Sequence, residues 1–158
     1  MNRNVAIVVL AVAMIAAPLA RAQSAADGVT DLQVLRAAVQ KDKKALVAST
    51  MTLTDAEAKK FWPVYEDFQR DLDAANRQRS LALEGVIALN KPMSELFAKN
   101  LAKELIEADD AEARARKKMH TRVLKALPAT KAVRYIQFES KVRAVRAYDV
   151  AVAFPLVK

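Results

Sequence analysis

Between Thr54 and Ala126 the chain carries two apolar stripes of matched length, and few folds can accommodate that pattern. Phe61, Tyr65, Phe68, Leu72, Ala75, Ala82 and Val86 recur at intervals of four and three, with Arg79 the one interruption. After Asn90-Lys91-Pro92 the same spacing resumes in Phe97, Leu101, Leu105, Ala108, Ala115, Met119 and Val123. Such spacing marks one buried face of an α-helix. About 35 residues rising 1.5 Å each give roughly 50 Å of helix. Two such rods joined by a short connection lie antiparallel. Composition agrees: the chain has two glycines, Gly28 and Gly85, and is rich in Ala, Leu, Lys, Arg and Glu. That mixture favours helix and leaves little for tight hairpin turns. The expected fold is all-α, an elongated antiparallel hairpin within a bundle of four amphipathic helices.

The remaining two helices flank this hairpin. One is expected from about Asp31 to Ala48, with Leu32, Leu35, Val39 and Leu46 on its apolar face. Residues Thr50 to Leu53 form a short connection. The last is expected to start with Pro128 at its first helical position, to carry Tyr135, Phe138, Val142, Val145 and Val152, and to stop near Phe154-Pro155. The tail Leu156-Val157-Lys158 is apolar enough to fold back on the bundle. Pro63 lies inside the second helix, removing one backbone donor and crowding the turn before it, so a kink is expected there.

The best-marked helix start is Leu53 to Phe68. Thr54 and Glu57 have the spacing of a capping box, and Asp55 and Glu57 place negative charge on the positive end of the helix dipole. Phe61, Trp62, Tyr65 and Phe68, four of the nine aromatics, follow directly. Leu53-Thr54-x-x-x-Ala58-x-Lys60-Phe61 is echoed 74 residues later by Leu127-Pro128-x-x-x-Ala132-x-Arg134-Tyr135.

The N-terminus reads as an export signal. One arginine precedes an unbroken apolar run from Val5 to Ala17, and Ala20-Arg21-Ala22 supplies a small-x-small cleavage site before Gln23. Thirteen apolar residues fall short of the roughly 20 that span a bilayer. The reading is a cleaved signal peptide at 1–22, a flexible lead-in at 23–30 and one helical domain at 31–158, delivered to the periplasm. Removing 22 of 158 residues leaves 136, and losing Arg3 and Arg21 lowers the formal charge from +8 to +6. With no cysteine the domain has neither a disulfide nor a lipid tether, and packing alone must stabilise it.

An exported, cysteine-free, glycine-poor helical chain with a Leu53-Thr54-Asp55-Ala56-Glu57 helix opening resembles the Spy/CpxP group of periplasmic proteins, which share an LTxxQ motif. Here Glu stands for Gln, and the second copy, Leu127-Pro128-Ala129-Thr130-Lys131, keeps only its leading Leu. Phe61-Trp62-Pro63-Val64-Tyr65 resembles an uncharacterised branch near that group. The resemblance implies a thin bundle of kinked helices that pairs into a curved cradle. It implies either an ATP-independent holdase of unfolded clients or a regulator of envelope stress or metal responses acting on a sensor protein.

Enzymatic chemistry finds little material. His120 is the one histidine, there is no cysteine nucleophile, and the two isolated glycines make no phosphate loop. Asp109 and Asp110 are adjacent and so point in different directions on a helix. One histidine and a few methionines are thin material for a transition metal, so no metal and no cofactor are expected. The basic excess is a better lead. Arg114, Arg116, Lys117, Lys118 and Arg122, with Arg134 on the last helix, can form a positive surface for acidic proteins or anionic headgroups. Export argues against nucleic acid. The expected binding residues are thus Leu53, Thr54, Glu57, the rings Phe61, Trp62, Tyr65 and Phe68 on a concave side, and these six cations.

Overall fold

The computed structural model describes residues 31–89, 92–154 and 156. The signal segment, the lead-in and Asn90-Lys91 lie outside the described residues. Four helices make up the described chain, with no strand among them: α1 Leu32–Met51, α2 Asp55–Ile87, α3 Glu95–Ala126 and α4 Ala129–Ala153.

The first three helices start at a side-chain cap, and the fourth starts after a proline with no side-chain cap. Asp31 Oδ1 accepts from the Gln33 and Val34 N–H groups at 2.8 and 3.2 Å. At α2 both halves of the capping box form: Glu57 N–H donates to Thr54 Oγ1 at 3.3 Å, and Thr54 N–H to Glu57 Oε2 at 2.8 Å. Ser94 caps α3 through the Phe97 N–H. Pro128 stands at the N-cap of α4 rather than at its first helical position, where its missing N–H costs nothing. α2 continues through Pro63 to Ile87. α1, by contrast, is broken. Asp42 has φ −164° and ψ 92°, and its carboxylate accepts from the Ala45 N–H at 2.9 Å, ending one helical segment and capping the next. The single first helix read from the sequence is therefore two segments in series.

The hairpin is antiparallel, as matched length and a short turn require: Asp67 meets Arg122, Asp71 meets Lys118, and Arg79 meets Glu112. α1 and α4 pack on each other, and α4 also packs on α3. They enclose only the half of the hairpin where α2 begins and α3 ends. That body holds the core: Leu35, Val47 and Met51 of α1, Phe61, Tyr65 and Phe68 of α2, Met119 and Val123 of α3, Tyr135 and Phe138 of α4. The cluster reaches no further than Leu72 on α2 and Ala115 on α3. Beyond it α2 and α3 continue as a two-helix arm, sealed by Ala75, Ala82, Leu101 and Ala108. Alanine on both sides brings two helices close without large side chains. Leu156, expected to fold back, is 94% exposed.

The sequence echo has a structural meaning. Glu57 and Lys131, equivalent in the two copies, form an ion pair at 2.6 Å. Phe61 and Tyr135, also equivalent, meet edge to face with centroids 4.9 Å apart. The openings of α2 and α4 thus cross at an approximate two-fold, each presenting the same face to the other.

Thr52, which ends α1, has φ 43°, a left-handed conformation that crowds a β-branched side chain. Replacing it with Gly is expected to raise stability by about 0.5–1 kcal/mol, read as a higher denaturant midpoint with unchanged slope.

Candidate functional site

Where α1, α4 and the waist of the hairpin converge they leave a cleft of about 690 Å³. One wall is aliphatic, from Leu35 and Val39 of α1, Leu72 of α2 and Val142 and Val145 of α4. The floor is charged. Arg79 donates to Glu112 Oε2 at 3.0 Å, to Asp109 Oδ1 at 2.6 Å and to Asn76 Oδ1 at 3.2 Å. Arg143 Nε donates to Glu112 Oε1 at 2.7 Å, and Arg116 Nε stands 3.8 Å from the same oxygen. Burial alone would raise the Glu112 carboxyl, but the Arg143 and Arg79 guanidiniums outweigh it and hold it below the ordinary range.

A second polar group lies deeper towards the core. Lys43 Nζ donates to Glu139 Oε2 and to Gln69 Oε1, both at 2.8 Å, and Gln69 Nε2 donates to Glu139 Oε1 at 3.3 Å. The helix break at Asp42 is what turns Lys43 inward. Burial, with the charge of Glu139 and Asp42 nearby, pushes the Tyr65 phenol up to about 12. Burial and Glu139 push Tyr135 up as well, so both phenols stay neutral at physiological pH. His120 is half-buried at the cleft wall beside Met119.

The register of the hairpin explains why these charges are tolerated. Arg79 occupies a seam position between Ala75 and Ala82, and Glu112 one between Ala108 and Ala115. Both apolar stripes are interrupted at the point where they face each other, by opposite charges. A slip of one turn would bury Arg79 and Glu112 separately, so the pair sets the register as well as lining the cleft.

The residues expected to bind are dispersed differently. Phe61 and Tyr65 are buried in the core and line no concave surface, because α1 and α4 cover them; Phe68 is buried too but borders the cleft. Trp62 is half-buried, edge-on to Phe61 and Tyr65, with Lys44 Nζ 5.3 Å from its ring centroid. Leu53 packs on the core, and Thr54 and Glu57 serve the helix cap, Lys131 holding the Glu57 carboxyl below its ordinary range. Of the six expected cations, Lys118 pairs with Asp71, Arg122 pairs with Asp67, and Arg116 turns into the cleft. These three do not belong to a free basic coat, because carboxylates on the facing helix hold Lys118 and Arg122, and Glu112 of its own helix stands beside Arg116. Arg114, Lys117 and Arg134 are exposed, with no ion-pair partner among the described residues. The cleft residues Lys43, Gln69, Asn76, Glu139 and Arg143 were not expected as a group. Of this site Arg79 was visible in advance as a break in a stripe, and Arg116 as one of the expected cations.

Apolar side chains reach solvent on the arm as they do on the outer faces of the body. Leu81, Ile87, Leu96 and Ile106 are 68%, 61%, 70% and 63% exposed. A shallow groove at Leu81, lined also by Arg77, Ser80 and Glu84, joins the cleft at Asp73, Asn76 and Arg146.

Compared with protein-family models, curated proteins and solved structures, the chain matches none. Among the described residues no cluster of three or more His, Cys, Asp or Glu is placed to hold a metal ion. No described helix is long and apolar enough to cross a membrane.

Replacing Arg79 with Met is expected to cost about 2 kcal/mol, below the 3–5 kcal/mol of a dry pair because the cleft is open. The double variant Arg79→Met, Glu112→Leu should recover most of that loss, giving a large coupling in a double-mutant cycle read by urea unfolding. Because folding lowers the Glu112 pKa, its contribution is complete above the unfolded value near 4.5 and is lost as pH falls through the folded value. Melting temperature is therefore expected to drop with acid below about pH 4.5, and less steeply in Glu112→Gln.

Proposed function

We propose that the protein is an exported, non-enzymatic binding protein of the periplasm that holds unfolded protein segments without ATP. This is the function its resemblance to Spy/CpxP-type chaperones implies. The observation that carries the reading is the arm. Two helices leave the core and keep Leu81, Ile87, Leu96 and Ile106 in solvent, beyond the part of the hairpin on which α1 and α4 pack. Apolar client segments lie against the arm, while acidic flanks meet the exposed Arg114, Lys117 and Arg134 of the body. The aromatic face plays no part in this version, since its rings stabilise the core.

Light scattering from a reduced, acidic client protein is expected to fall sharply when the purified protein is added at equimolar ratio. Charge reversal of Arg114 and Lys117 together should weaken protection, more at low salt than at high salt. Leu96→Glu with Ile106→Glu should abolish it while leaving the helical circular dichroism intact. Undiminished aggregation with the unmodified protein would sink the proposal.

A further inference from the structure

The cleft contains more than the ion pairs that set the hairpin register. Asn76 is only 6% exposed, and its amide accepts Arg79 through Oδ1 but leaves Nδ2 with no acceptor in the protein. Arg116 Nε is in the same condition, too far from Glu112 for a hydrogen bond. Both atoms are donors, both are buried, and both residues line the cleft. Buried donors lacking an acceptor are costly, and the two here ask for the same complement, an oxygen-bearing group.

Charge points the same way. Arg36 faces Asp149, Arg79 faces Asp109 and Glu112, and Arg143 and Arg116 face Glu112. Lys43 is held by Glu139. Arg146, on the rim shared by the cleft and the outer groove, has no carboxylate partner among the described residues. The carboxylates that oppose an anion there are Asp73, exposed on the same rim, and Asp149, which is drawn to Arg36 at 3.0 Å. A volume of about 690 Å³ falls in the range of roughly 300–1,000 Å³ typical of small-molecule sites. The aliphatic wall suits an alkyl chain.

We propose that this cleft binds a single-chain anionic amphiphile. Its head accepts hydrogen bonds from Asn76 and Arg116 and is neutralised by Arg146, and its chain lies along Val39, Leu72 and Val145. The site lies where the arm leaves the body, and its test reads binding of a small amphiphile rather than client aggregation, so either reading can fail without the other.

Calorimetric titration of the purified protein with laurate, kept below its micellar concentration, is expected to show saturable one-to-one binding. Dodecanol, with the same chain and no charge, should bind at least tenfold more weakly. Arg146→Gln, an exposed substitution that leaves the fold alone, should weaken laurate at least fivefold, as should Asn76→Leu. Asp73→Asn should strengthen it. Dodecyl phosphate separates the sources: tighter binding than laurate supports the site and assigns phosphate-headed lipids, and weaker binding supports it and assigns fatty acids. Equal affinity for laurate and dodecanol, no saturable binding of either anion, or indifference to Arg146→Gln would overturn the proposal.

Discussion

The fold depends on the crossing of two helix openings, where Phe61 of α2 meets Tyr135 of α4. The rings are edge to face at 4.9 Å and fully buried. Such a contact adds about 0.5–1.5 kcal/mol to the large apolar area that two aromatic residues remove from water. Tyr65 stands beside both rings, and Met51, Phe68 and Phe138 complete the same cluster. The Glu57–Lys131 pair closes the outer edge of the crossing, and Lys131 also donates to the Thr52 carbonyl, tying the end of α1 to the start of α4. All four helices are thus held together at one end of the hairpin, and none is clamped at the other.

That asymmetry creates the arm. Residues past Leu72 on α2 find only α3 to pack against, and the chain supplies alanines there, so the two backbones approach and seal a narrow seam. A seam of small side chains specifies register poorly. The opposed Arg79 and Glu112 supply what the alanines lack, because a shifted pairing leaves each buried without its partner. The exposed leucines and isoleucines of the arm are then a direct result of having two helices where the body has four. The buried cluster sits in the body, while apolar side chains reach solvent on the arm and also on the outer faces of the body, at Leu124, Val133 and Val152.

Electrostatics follows the same division. Acids outnumber bases on the arm, with Glu104, Glu107, Asp109 and Asp110 on α3, whereas bases outnumber acids on the body. On the body the cations are of two kinds. Those facing the hairpin partner, such as Lys118 and Arg122, neutralise carboxylates, and Asp67 is held below its ordinary range by Arg122 and Arg70. Those pointing outward, Arg114, Lys117 and Arg134, keep their field in solvent. Net charge alone does not separate the two kinds.

Helix content, the antiparallel hairpin, the capping box at Thr54 and Glu57 and the cap at Ser94 were legible in the sequence, because periodicity and capping are local and need only a few neighbouring residues. The echo between Leu53 and Leu127 was visible as a pattern, but not as a contact between its own copies. The Asp42 break was not legible, since an aspartate flanked by lysines on a helical face reads as a solvated position until the interior offers Lys43 a carboxylate. The rings at Phe61, Tyr65 and Phe68 could face a groove or a core equally well by spacing, and only the arrival of α1 and α4 decided for the core. The cleft belongs entirely to tertiary structure: Asn76, Arg116 and Arg146 come from three different helices, and no local rule brings their donors together.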